Sequence, residues 1–283
     1  WILSAAQSLR GFTEAVAAPT AKAPAQVPGL LTRAAHIATE FFRKRRQQRE
    51  IMNQAAVVVV HSEEAQTELQ SHWRAAVRVI AHPLKPFPIS RQLRSQEDGL
   101  LHVGYFGFLR AQKDLIRLVQ ACTMLDDVKL HLLACIPNQY GGIATDTDHI
   151  IQWLHEFDWI ELEMRFLPLS EVVHQLSRND VNVYLTAPAS DSYSTSGSIR
   201  QYLAAQRPVV ANRSAMTSDL EGVITLLPDT RLATIASHLR NHDPDVSQIS
   251  NYCDEFTWEQ MPDVYSSIRQ HDSSHPASRE PAA

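Results

Sequence analysis

The stretch VGYFGFLRAQKDLIRLVQA, residues 103–121, decides the fold class. Its first half continues an apolar run from Leu101 to Phe106, and its second half is a helix with Leu115, Leu118, Val119 and Cys122 at i, i+3, i+4 and i+7. A buried strand that feeds an amphipathic helix through a short turn is the repeating unit of a parallel sheet. The unit recurs along the chain. Further strands are expected at Val128 to Cys135, Ile160 to Phe166, Val181 to Thr186, Pro208 to Asn212 and Val223 to Leu227. Helices fall between them, with Leu169, Val172, Val173 and Leu176 repeating the spacing of the first. The pattern predicts an α/β protein built on a doubly wound parallel sheet, which binds ligands at the carboxyl ends of its strands.

Upstream, the apolar run Val57 to Val60 reads as a strand buried on both faces, followed by a helix from Glu63 to Ser71 and a strand from Val77 to Ala81. The segment His82 to Pro88 holds three prolines and reads as a linker. A helical pattern from Leu31 to Asn53 carries Arg43, Lys44, Arg45 and Arg46, with Arg49 a turn later. This basic run, preceded by Phe41 and Phe42, suits either an anionic membrane surface or a solvated helix face. The expected organisation is a truncated first domain with linker over residues 1–87, a ligand-binding domain over 88–256, a closing helix over 257–270 and a disordered tail over 271–283. Because the chain opens at Trp1 and enters a helical pattern at once, it is expected to be a fragment or processed product.

Composition narrows the function classes. A net charge of -5 gives no general reason to expect nucleic-acid binding. Hydrophobic residues make up 44% of the chain, enough for a well-buried core, yet no stretch reaches the length of a membrane span. Cys122, Cys135 and Cys253 are odd in number and widely spaced, so they read as reduced thiols. Together with the lack of a secretory signal, this predicts a cytoplasmic location.

Two turns carry the candidate chemistry. In the first, residues 107–113, Arg110 and Lys113 stand where a strand ends and a helix begins, a place suited to phosphate and equally open to ordinary solvated cations. The second, Tyr193, Ser194, Thr195, Ser196, Gly197 and Ser198, opens a helix with small residues that let backbone N–H groups approach an anion, or that simply cap the helix. Facing each other across the strand ends, the two turns outline a diphosphate site. Gln201, a turn further on, has an amide suited to a ribose diol, though packing or exposure accounts for it as well. Leu167, past the third strand, is placed with the donor-side residues. No dinucleotide, P-loop, nucleophile-elbow or zincin motif occurs. His238 and His242 lack a third ligand and read as surface residues, and His61 at its strand end reads as structural or as lining a cleft.

Five segments in order resemble the group 1 glycosyltransferases of GT-B fold. NQAAVVVVHSEEAQTEL (residues 53–69) is similar to the last acceptor-domain strand and its serine turn, and VRVIAHPL (77–84) to the strand entering the linker. VGYFGFLRAQKDLIRLVQA is similar to the strand, turn and helix whose basic residues grip the donor diphosphate. SYSTSGSIRQYLAAQRPVVA (192–211) resembles the segment where two glutamates are usual, which here are Tyr193 and Gln201. FTWEQMPDVYSSI (256–268) resembles the element that crosses back to the first domain.

The resemblance implies a GT-B type, Rossmann-like fold and a retaining transfer of a sugar from a nucleoside diphosphate sugar to a glycan or lipid-linked acceptor. It implies no metal and no cofactor, with Arg110 and Lys113 as catalytic residues and Leu167, Tyr193 to Ser198 and Gln201 binding the donor. The competing expectation is a degenerate domain that binds a nucleotide or a protein partner without catalysis. A nucleotide-sugar epimerase fits less well, since its carboxylate and histidine set is not recognisable here.

Overall fold

A computed structural model describes residues 57–72, 76–88, 98–109, 114–135, 144–186, 196–214 and 216–273, together with Arg46, Glu50, Gln54 and Ala55. Arg43, Lys44, Arg45, Arg110, Lys113, Tyr193, Ser194 and Thr195 lie outside the described residues. The chain divides into two compact units, with the boundary between Ile80 and Ala81.

The described part of the first unit is a strand, a helix and a strand: β1 (Val57–Val60), α1 (Glu63–His72) and β2 (Ala76–Val79), with β1 parallel to β2 in the register Val57 to Ala76. Ser62 starts α1 because its hydroxyl accepts the Ala65 N–H at 3.2 Å, and Glu63 and Glu64 favour the positive end of the helix. His61 donates through Nδ1 to the Ile80 carbonyl at 2.8 Å, so its ring ties the two strand ends together. Arg46 is exposed and pairs with Glu50 one helical turn away.

The second unit contains β3 (Leu101–Phe108), α2 (Leu115–Cys122), β4 (Val128–Cys135), α3 (Ala144–Leu154), β5 (Ile160–Met164) and α4 (Leu169–Leu176). It continues with β6 (Val181–Tyr184), α5 (Ile199–Ala204), β7 (Val209–Asn212), β8 (Thr225–Leu227), α6 (Leu232–Arg240), α7 (Ser247–Glu255) and α8 (Met261–Ser273). Six strands form one parallel sheet in the order β5-β4-β3-β6-β7-β8. The doubly wound architecture expected from the alternation is therefore present.

Alternation along the strands builds two cores. Val103, Leu130, Leu132, Val181, Val183 and Val210 face one side, where Leu118 and Val119 of α2 and Ile235 and Leu239 of α6 cover them. Leu133, Tyr184, Val209 and Ala211 face the other, under Val172, Val173 and Leu176 of α4, Tyr202 of α5 and Tyr252 of α7. The Cys122 and Cys253 thiols sit in these cores, where burial pushes each up to about 12.

Several strands stop short of their apolar runs. β5 ends at Met164 and not at Phe166, because Arg165 turns to Glu163 and Glu171 and Pro168 begins the next helix. β8 starts at Thr225 and not at Val223, after a turn in which Gly222 adopts φ 81°, a left-handed conformation that suits glycine.

At the centre of the sheet, Gly104 makes room for a buried amide pair. Asn179 donates to the Asn182 side-chain oxygen at 2.9 Å, and both amides donate to the Leu176 carbonyl, which anchors the end of α4 beside β6. A Cβ on Gly104 would overlap both amides. Gly104→Ala is expected to lower unfolding free energy by about 1–3 kcal/mol, the scale of overpacking in a core. Chaotrope unfolding measures this, and an unchanged midpoint would refute the steric role of Gly104.

Candidate functional site

The sheet opens at its middle. β3 and β6 pair only through Val103 with Val181 and Gly104 with Asn182. Beyond that point β3 stays with β4 as far as Phe108 opposite Cys135, while β6 stays with β7 as far as Tyr184 opposite Ala211. The strands that part are those where the order of winding reverses, and a crevice forms there in this class of sheet.

Parting leaves backbone groups without a strand partner, and side chains take the place of the strand. The Tyr202 hydroxyl accepts the Phe106 N–H at 2.6 Å and donates to the Phe106 carbonyl at 2.7 Å. Burial pushes this phenol well above its ordinary value, so it remains a neutral group able to do both. One strand over, Asn212 accepts the Thr186 N–H at 2.8 Å and donates to the Thr186 carbonyl at 3.0 Å. Its amide extends β6 past Tyr184, where the apolar run predicted a longer strand.

Between these two staples lies a cleft of about 530 Å³, contained within the second unit. Phe106, Gly107 and Phe108 of β3 and Leu133 and Ala134 of β4 form its floor. The turn Arg165, Phe166, Leu167, Pro168 and the first residues of α4 form one wall, and Tyr184, Thr186, Ser196, Ser198 and Met216 the opposite one. The first wall is largely apolar, and its Phe166 is 87% exposed at the lip. The second is polar, with Ser196 and Ser198 hydroxyls 2.8 Å apart and the Tyr184 hydroxyl 3.5 Å from the Met216 sulfur. Burial raises the Tyr184 phenol above its ordinary value against the opposing effect of its bonds to Ser196 and Ser198.

The cation at the lip is already engaged. Arg165 pairs with Glu163 and, at 2.8 Å, with Glu171, so its charge is largely met by carboxylates. Behind the polar wall, Arg200 of α5 is buried to 1% exposure, pairs with Asp219 at 7% and lies over the Tyr252 ring. This buried pair ties α5 to the turn at Ser218–Leu220.

Of the candidate residues from the sequence, Leu167, Ser196 and Ser198 line the cleft. Gly197 is exposed between the two serines and does not line it. Gln201 turns its amide to the Gly197 carbonyl at 3.4 Å and also stays out of the lining. Phe166, Tyr184, Thr186 and Met216 were not singled out in the sequence. The one signal for them is position, since Tyr184 is the last residue of β6 and the other three follow the end of a strand. His238 and His242 donate to the Thr234 and Leu239 carbonyls within their own helix region. Among the described residues there is no group of three or more side chains suited to a metal ion.

No family model and no curated protein matches the sequence. Solved structures do match it. A sucrose-phosphate synthase from Thermosynechococcus elongatus superimposes with a TM-score of 0.60 at 18% identity, over 79% of this chain and 61% of that one. HepE from Anabaena, in complex with UDP-glucose, gives 0.56 at 18% identity over 75% and 64% of the two chains. A trehalose-6-phosphate synthase studied with bisubstrate glycomimetics gives 0.59 at 11% identity over 82% and 65%. The fold is that of GT-B glycosyltransferases. Identities this low speak to fold alone, and the chain spans less than two thirds of the length of these three neighbours. Within the GT-B fold the crevice at the parting of β3 and β6 is the site that this chain's own geometry builds.

Tyr202 offers a direct check on how that crevice is held open. Tyr202→Phe leaves the ring but strips both partners from Phe106, and is expected to cost about 1–3 kcal/mol of unfolding free energy. Tyr184→Phe should cost less, because its hydroxyl bonds the side chains of Ser196 and Ser198. Equal losses in thermal unfolding would contradict this assignment.

Proposed function

We propose that this chain is the donor-binding part of a glycosyltransferase that moves a sugar from a nucleoside diphosphate sugar to a glycan or lipid-linked acceptor with retention. The observation that carries the reading is the cleft at the carboxyl edge of the sheet, where β3 and β6 part. Its two walls suit the two halves of such a donor. The apolar turn at Phe166 to Leu169 offers a face for a flat base, and the hydroxyls of Tyr184, Thr186, Ser196 and Ser198 offer hydrogen bonds to a ribose or sugar.

In this reading Arg110 and Lys113, which follow β3 in the chain, meet the diphosphate. As the bond between sugar and phosphate breaks, negative charge grows on the departing oxygen, and cations already in place stabilise it. The reading calls for no metal or cofactor. Tyr193, Ser194 and Thr195, in the same reading, offer the donor further hydrogen bonds. Arg43, Lys44, Arg45 and Arg46 would bring the protein to the inner face of a membrane, in keeping with a cytoplasmic enzyme; no described helix is long and apolar enough to cross one.

A second reading is binding without transfer. It draws on Gln201, whose amide bonds inside its own helix turn, and on the mostly apolar cleft lining. Calorimetry with nucleosides, nucleoside diphosphates and their sugars tests both readings. Arg110→Ala and Lys113→Ala are each expected to weaken diphosphate binding by about 1–3 kcal/mol and to leave nucleoside binding nearly unchanged. Loss of equal size for both ligands would remove the phosphate role. Gly197→Val adds a second probe, because a Cβ there meets open space and the variant should fold. Loss of diphosphate affinity in that variant places the anion beside residues 196–198. Donor hydrolysis or transfer would favour the enzyme, and tight binding with neither would favour the second reading.

A further inference from the structure

Away from the cleft, four titratable side chains from the turn before β3, from β3, from β4 and from β5 touch in a row. His102 Nε2 lies 3.1 Å from an Asp98 carboxylate oxygen. His102 Nδ1 lies 2.8 Å from His131 Nε2, with the two rings within 16° of parallel. His131 Nδ1 lies 2.8 Å from one Glu161 oxygen, and Lys129 bonds the other.

Register explains the row. Gly104 stands opposite His131 and His102 opposite Lys129, so the two imidazoles are diagonal neighbours on one face of adjacent strands. His131 stands directly opposite Glu161 on β5. Around them, Asp180 accepts the His102 backbone N–H at 2.8 Å and interacts with Arg207. Glu163, Gln175 and Arg178 join His131, Lys129 and Glu161 around a polar crevice of about 350 Å³.

Counting protons shows what this arrangement requires. A carboxylate only accepts, so His102 must carry a proton on Nε2 for Asp98, and His131 a proton on Nδ1 for Glu161. Lys129, first, and His131 hold the Glu161 carboxyl below its ordinary range, which keeps it an acceptor. Two neutral imidazoles have two ring protons, and both are now used. The central nitrogens would then meet at 2.8 Å as two lone pairs, which repel. A third proton between them turns the contact into a charge-assisted hydrogen bond.

We propose that His102 and His131 form a proton-binding site holding three ring protons, one imidazole and one imidazolium sharing the central one between two carboxylates. The site joins the Asp98 turn, β3, β4 and edge strand β5 into one hydrogen-bonded row. Release of the central proton breaks the row at its middle, or forces one ring to give up its carboxylate. Linkage fixes the sign: stability from the third proton is present while the folded pair holds it and is lost as pH rises and the pair releases it.

Nitrogen-15 NMR of the whole histidine-labelled chain at neutral pH reads the proton count directly. Three protonated nitrogens among the four of this pair are expected, assigned through the signals that vanish in His131→Gln. Two protonated nitrogens would overturn the proposal. A second measurement follows the melting temperature between about pH 6 and pH 9, across the ordinary histidine range and above it. In His131→Gln the amide can donate to both His102 Nδ1 and Glu161, so the row closes without a third proton. The fall in melting temperature with rising pH should be shallower in His131→Gln than in the wild type, and equal slopes would overturn the proposal. If the variant does not fold, the pair is assigned in the wild type through the proximity of the two stacked rings, and the count still decides.

Discussion

The parting of β3 from β6 is the constraint on which the rest of the second unit depends. A parallel sheet gains from continuous pairing, and each buried N–H or C=O left without a partner costs as much as a lost hydrogen bond. Yet a fully zipped sheet has no crevice. The molecule resolves the conflict with the Tyr202 hydroxyl, which serves both backbone groups of Phe106 and leaves room beyond them for the cleft. Asn212 does the same for Thr186. Both side chains come from the portion of chain after β6, which also carries Ser196, Ser198 and Met216 of the polar wall.

This arrangement makes the packing around α5 unusually exacting. The helix is six residues long and presents Ile199, Tyr202 and Leu203 to the core, while Arg200 is buried against Asp219 and the Tyr252 ring. A buried ion pair adds little net stability, because desolvation offsets much of the attraction, but removal of one partner is costly. Its value here lies in geometry. Arg200 fixes the turn after Met216 and the helix that carries Tyr202 relative to each other, so the two parts of the polar wall cannot drift independently. Tyr252 adds a further tie, donating to the His82 carbonyl at 3.0 Å and so anchoring the entry of the chain into this unit.

Much of the fold was legible in the sequence because burial on both faces writes strands as apolar runs. Val128 to Cys135 and the helix spacing of Leu115, Leu118, Val119 and Cys122 needed no tertiary information. Strand ends were less legible, since they depend on what replaces the neighbour. An apolar run predicts β6 as far as Thr186, but the ladder stops at Tyr184 and the Asn212 amide takes the place of a strand partner at Thr186. For the site, Ser196 and Ser198 could be read from small residues ahead of a helix. Phe166 and Met216 could not, because their role comes from which turns the topology brings together and not from any local motif. The same holds for Arg200 with Asp219, nineteen residues apart, and for His102 with His131, whose contact follows from strand register.

The contrast between fold and site also explains how likeness to solved structures survives at 18% identity or less. What the sheet demands is a parity of apolar positions, a small residue where Gly104 meets two amides, and partners for the backbone where strands part. Many sequences satisfy such demands, so identity can fall far while topology stays. Chemistry is stricter. The Gln201 amide, for example, bonds the Gly197 carbonyl within its own turn, a contact that the sheet topology does not dictate. Topology therefore accounts for where the crevice forms, and leaves its chemistry to the particular hydroxyls and apolar faces that this chain sets around it.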